Sequence, residues 1–184
     1  MASINRKGYG QVEPNHLSAQ YTGQIYAQLP AMTAGTGGAK DTPIAQLENG
    51  QFLKYNYADG RASLDGDGEW MLVFNEVKLY DERRQGYKDF AMLASEQSDG
   101  VIYPRLLKTN VGDIFTTNTF YGPASGPDAD VTAVTLAVGN KLAVDSSTGF
   151  LAAAGNSPTG PVFQVVKVYT LADKQPAVKL QRIQ

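Results

Sequence analysis

The chain has 184 residues, no cysteine, and 16 basic side chains against 18 acidic ones. That length suits one domain, or one domain with an arm; the composition excludes disulfides and thiolate metal sites, and its near-balanced charge does not suggest a surface for a polyanion. Charged residues are only 18% of the chain, below the roughly 25% of an average globular domain, so Thr, Ser, Asn, Gln and Gly must supply the polar surface, which is cheap to desolvate against another protein.

The first residues carry Arg6 and Lys7 with no apolar run behind them, so they do not read as a signal peptide. No window approaches the about 20 apolar residues of a membrane span. The expectation is a chain made in the cytoplasm that stays soluble unless an assembly carries it elsewhere. Residues 1–43 are rich in Gly and Pro and hold no strand or helix period. They are expected to form an extended N-terminal arm and linker, set against a β domain over 44–184. A free tail is the plain alternative. The aromatic and imidazole groups Tyr9, His16, Tyr21 and Tyr26 favour an arm that orders on a partner, because solvating tails are poor in aromatics. Ile4, Tyr9, His16, Leu17, Tyr21, Ile25 and Tyr26 are its candidate contacts.

Residues 44–57 form the first β unit, with Asn49-Gly50 as a two-residue hairpin signal. Asp59-Gly60 makes the next turn, and residues 65–68 another. Residues 69–77 follow as the most apolar strand, which predicts burial on both faces. Trp70, Leu72 and Phe74 are assigned to one face, and Met71 and Val73 to the other. Residues 78–97 carry the densest charge, with a weak helical spacing from Tyr87 to Leu93. Residues 101–107 read as a strand that Pro104 places at an edge or bulge. Residues 111–120 alternate behind Asn110 and Gly112, and the third β unit spans 134–153. Strands at 162–170 and 177–183 complete the chain. The last alternates Val178, Leu180 and Arg182 against Lys179 and Gln181, as a strand closing a barrel would. The fold class is therefore all-β: a small β-barrel or sandwich with an extended N-terminal arm. Phe52, Trp70 and Phe74 are its expected core.

No reaction centre emerges. His16, the one histidine, lies in the arm, where no third group can hold it beside a nucleophile. The run from Asp65 to Glu69 resembles a calcium loop, but its sixth position is Trp70 where glycine is needed, so a hairpin turn is the better reading. The glycines of 34–39 lack the Lys-Ser/Thr pair of a phosphate loop, since Lys40 precedes Asp41. Asp81 and Glu82 are followed at once by Arg83 and Arg84, as in a solvated salt-bridged turn. Phe52, Tyr55, Tyr57, Trp70 and Phe74 could line a sugar-binding face, although filling a β core is the commoner role for such residues. The expectation is no catalytic residue, no metal and no cofactor.

Three segments share one form: Gly50 to Gly60, Gly139 to Gly149, and in part Gly112-Asp113. Each reads as turn, short strand, polar turn. This pattern resembles that of tailed-bacteriophage virion proteins, in particular the cement or decoration proteins and related minor head proteins. The resemblance covers about a third of the chain and implies no catalytic residues. It implies a structural virion protein that binds and stabilises an assembled capsid. Its partners would be the major capsid protein and copies of itself, with no nucleic acid and no membrane. The alternative is a fibre or spike β module that binds a receptor or glycan.

Overall fold

The computed structural model describes residues 9–12, 28–35, 39–75, 91–121, 136–155, 158–171 and 174–184. Among them the chain is all β, with one short 3-10 turn at Ala94–Glu96. The strands are β1 (Met32–Thr33), β2 (Thr42–Pro43), β3 (Gln46–Glu48), β4 (Phe52–Asn56), β5 (Arg61–Ser63), β6 (Glu69–Val73) and β7 (Ala91–Leu93). They continue as β8 (Leu106–Leu107), β9 (Ile114–Thr117), β10 (Lys141–Val144), β11 (Leu151–Ala153), β12 (Val162–Thr170) and β13 (Pro176–Arg182).

Two antiparallel sheets form the body. One has five strands in the order β11-β10-β12-β13-β9, the other four in the order β5-β4-β6-β8. Two-stranded pairs, β1-β2 and β3-β7, accompany them. The alternation of β4 and β6 explains how these parts stack. Phe52, Trp70 and Leu72 point to one side and join Phe115, Phe163, Val178 and Leu180 of the five-stranded sheet. Leu53, Tyr55, Met71 and Val73 point to the other side and join Ala31, Ile44, Leu47, Met92 and Ile102. The four-stranded sheet is thus a middle layer with a hydrophobic core on each face. The two faces assigned to β6 from sequence are the two observed. Phe52, Phe115 and Phe163 form the centre of the larger core, with ring centroids 5.3 to 6.4 Å apart. Phe74 is half-buried at its margin.

The described sheets are open, so the arrangement is a sandwich and not a closed barrel. β13 does not close anything: it lies inside its sheet, between β12 and β9. Its alternation is that of a strand with one core face, and edge and interior strands share that pattern.

Four local expectations differ from what forms. The Asn49-Gly50 turn exists, and Gly50 has φ +91, but the flanking strands do not pair. β3 pairs with β7 and β4 with β5 and β6. A turn signal sets the reversal of the chain, whereas burial of Leu47 beside Met92 decides the partner. Residues 65–68 likewise carry the chain across β4 from β5 to β6, on its two sides, and not around a hairpin. The helical spacing up to Leu93 ends in β7, where Met92 alone is buried in a period of two; residues 76–90, including the charged run, lie outside the described residues. The strand expected over 101–107 contracts to β8. It does sit at a sheet edge, just after Pro104.

Where they are described, residues of the stretch expected as an arm make contacts with the β body. Val12 and Ala31 are buried in the two cores, and Ala31 bridges Ala62 of β5. β1 and β2 pair with each other. Val12 and Ala31 each reach a core singly, so no period announces them.

Two predictions follow from these contacts. Phe52→Ala removes a fully buried ring from the centre of the larger core. It should cost about 3–5 kcal/mol, read as a lower midpoint in denaturant unfolding with an unchanged slope. Asp41 accepts the Gly35 N–H at 3.0 Å and an Arg61 N–H at 2.9 Å. The backbone bond first, and Arg61 second, hold its carboxyl below the ordinary value. A depressed folded pKa means that its stabilisation is present above about pH 4, the unfolded value, and is lost as pH falls through the folded one. An NMR titration should give Asp41 a midpoint below about 3.9, and Arg61→Gln should raise that midpoint only in part.

Candidate functional site

Three places stand out on this body. The first is a polar slot along the outer edge of β9. Thr116, Thr117, Asn118 and Thr119 are all fully buried, which is unusual for four consecutive polar residues. They are covered by residues 9–12. Val12 bridges Thr117 in antiparallel register. The Asn118 carboxamide accepts the Gln11 N–H at 2.7 Å, while the Thr117 hydroxyl donates to the Gln11 carbonyl at 2.6 Å. Asn118 Nδ2 donates to Gln175 Oε1 at 3.1 Å and to the Tyr9 carbonyl at 3.3 Å. The Gly10 N–H donates to Glu48 Oε2 at 2.6 Å. A Cβ on Gly10 would lie 2.6 Å from the Asn49 carbonyl and 2.8 Å from Thr119 Oγ1, so only glycine fits. The slot thus binds a strand through its backbone, as β-augmentation does. Its occupant is the chain itself.

The second place is a cleft of about 830 Å³ at one end of the interface between the two main sheets. Lys54 of β4 and Glu69 and Trp70 of β6 form its floor, with the 65–68 connection on one side. The β10–β11 hairpin, residues 158–161 and Arg182 form the rest. Lys54 and Trp70 are cross-strand partners. The Lys54 ammonium lies 5.1 Å from the indole centroid and donates to the Gly66 carbonyl at 2.5 Å. Glu69 pairs with Lys108 at 3.0 Å. The Arg182 guanidinium donates to the Thr109 carbonyl and hydroxyl and, through Nε, to the Gln184 carbonyl at 2.7 Å. Burial pushes its pKa down, against the pull of Glu69 and Asp113. Asp145 is held by its own turn, accepting from the Ser147 N–H and hydroxyl at 2.7 Å each.

The third place is the stretch of β12 beyond its register with β10. β10 pairs only with residues 162–164, whereas β13 follows β12 to Thr170. A register shift falls between Val165 and Lys167. Val166 and Val168 are 37% and 50% exposed on this ribbon. Val138, 66% exposed, lies beside it, because the Gly139 N–H donates to the Val165 carbonyl at 2.8 Å.

Of the arm contacts nominated from sequence, Tyr9 has a half-open ring, 41% exposed, and a carbonyl fixed to Asn118. Ile4, His16, Leu17, Tyr21, Ile25 and Tyr26 lie outside the described residues. Phe52 and Trp70 are in the larger core, and Tyr57 is exposed and set edge-on to Tyr55 at 4.5 Å. The aromatic set therefore makes no common face. In the run that resembles a calcium loop, the Asp65 carboxylate lies 3.9 Å from Arg61, and Asp67 faces the cleft. Among the described residues, no three His, Asp or Glu side chains are grouped to hold a metal. Sequence reasoning missed the cleft because its walls come from five separate segments of the chain. It missed the slot because the Thr-Thr-Asn-Thr run reads as an ordinary solvated strand.

Asn118→Ala should unlatch residues 9–12. It removes the acceptor of the Gln11 N–H and leaves that donor without its partner, at a cost of about 1–3 kcal/mol. Hydrogen exchange should then accelerate at the Gln11 amide well before it does at Leu180.

Comparison with protein-family models, with curated proteins and with solved structures gave no significant match.

Proposed function

We propose that this is a structural virion protein: a cement or decoration protein that binds and stabilises an assembled bacteriophage capsid. Its partners in this reading are the major capsid protein and neighbouring copies of itself. The observation that carries the reading is the β12 ribbon, where Val138, Val166 and Val168 are exposed together on a body with few charges. Apolar groups clustered on an otherwise polar surface suit a protein contact. A rigid sandwich with cores on both faces of its middle sheet suits a part whose role is to hold others together. A second reading, a fibre or spike module that binds a receptor or glycan, is favoured by the cleft at Trp70.

The test is addition of the purified protein to empty heads, followed by sedimentation. Binding is expected in many copies over the head surface. It should change little between low and physiological salt, because few charges are available to be screened. Val168→Asp should weaken it by about tenfold or more, through an unpaired charge at an apolar contact. Attachment confined to tails or fibres, or full binding by Val168→Asp, would overturn the capsid reading.

A further inference from the structure

The five-stranded sheet turns one face to the larger core and carries positive charge on the other. Leu142, Phe163, Val165, Val178 and Leu180 point into the core. Alternation therefore sends Lys141 of β10 and Lys179 of β13 to the far side, and Lys167 of β12 stands directly opposite Lys179 on that side. Side chains so placed in an antiparallel pair have Cβ atoms about 4.5–5.5 Å apart, and like charges there repel. Among the described residues no carboxylate pairs with Lys141, Lys167 or Lys179. Lys167 only leans over the Tyr169 ring, 5.4 Å from its centroid. The fold leaves this repulsion unrelieved, which points to an anionic surface that meets it from outside.

The same chain carries such a surface. At one end of the four-stranded sheet, Arg61 lies 2.9 Å from Asp41, 3.3 Å from Asp59 and 3.9 Å from Asp65. Three carboxylates share one guanidinium, so negative charge is in excess there, and all three acids are exposed. Their turns are open: a Cβ on Gly60, beside Asp59, would meet nothing within 4 Å. The two patches cannot meet within one chain, because the lysines face away from the sheet that carries the acids. We propose that the Lys141, Lys167 and Lys179 face of one copy docks the end of a second copy that carries Asp41, Asp59 and Asp65. The contact joins unlike surfaces, so it runs head to tail and leaves a patch open at each end of a row. Such a contact is weak alone and gains strength where copies are held close together. It deepens the capsid reading, on which its role in an array rests, but the contact itself is tested without heads.

Sedimentation equilibrium of the intact protein, at concentrations up to about 1 mM, should show reversible association beyond a dimer at about 0.02 M salt. At about 0.5 M salt, where charges are screened within a few ångströms, it should show monomer. Carbodiimide joins ammonium and carboxylate groups that touch, without adding a spacer. In low salt it should yield a dimer whose cross-linked peptides join Lys141, Lys167 or Lys179 to Asp41, Asp59 or Asp65. Lys179→Glu separates this contact from a purely structural role. It places a carboxylate opposite Lys167, so the monomer should unfold at higher denaturant while association weakens by about tenfold or more. The proposal is overturned if the protein stays monomeric at low salt, if the cross-links join other residues, or if Lys179→Glu associates as tightly as the parent. Association without head binding upholds this contact and overturns the capsid reading alone.

Discussion

A sheet with apolar side chains on both faces cannot be stable with only one face covered. The β5-β4-β6-β8 sheet is of this kind, and most of the molecule can be understood as cover for it. On one side, the five-stranded sheet supplies Phe115, Phe163 and Leu180 against Phe52 and Leu72. On the other, segments distant in sequence supply Ala31, Ile44, Leu47, Met92 and Ile102 against Leu53, Met71 and Val73. Cross-strand register keeps the two sets apart: Phe52 faces Leu72 and Leu53 faces Met71. A slip of one residue between β4 and β6 would exchange the faces and place Lys54 in the second core.

The same economy governs the edges. A sheet edge exposes unpaired backbone groups, and open sandwiches have several. Here single residues close three of them. Val12 bridges the outer side of β9, Ala31 that of β5, and Phe120 that of β11. Around Val12 the closure is reinforced by side chains, since Asn118, Thr117 and Glu48 each bond a backbone group of residues 10–11. The polar residues so buried have their bonding groups matched, which is the condition for burying them at little cost. The exposed valines of β12 and the cleft at Trp70 are places where this covering stops.

How much of this was legible in the sequence follows from the range of the signal. Period and local turn chemistry act over a few residues. They located β4, β6, β10, β12 and β13, the two faces of Trp70-Met71-Leu72-Val73, and the edge position of β8 behind Pro104. They could not say which strand pairs with which, so Asn49-Gly50 reads as a hairpin although β3 and β4 belong to different sheets. Segments held by one or two buried residues, such as Gln11-Val12 or Pro30-Ala31, have no period at all. The cleft was illegible for the same reason: Lys54, Trp70, Asp145 and Gly160 are brought together only by the stacking of two sheets. Trp70 itself was assigned to the core, and it is there. That one edge of its ring also reaches the cleft depends on Gly160, ninety positions later.

The latch of residues 9–12 also bears on how the chain reaches this state. The bond between the Gln11 N–H and Asn118 spans 107 positions, and that between Gln51 and the Thr148 carbonyl spans 97. Such pairings make the contact order high, and chains of high contact order fold slowly because distant loops must close before their contacts stabilise anything. During synthesis, residues 9–12 are made well before β9 and β13, so their slot cannot exist until β9 has docked on β13. Until then the β9 edge and the Tyr9–Val12 segment are both unpaired. The interval is one in which edges of two nascent copies could meet. The matched polar lining, which accepts a glycine at position 10 and little else, makes the slot selective for its own segment when that interval ends.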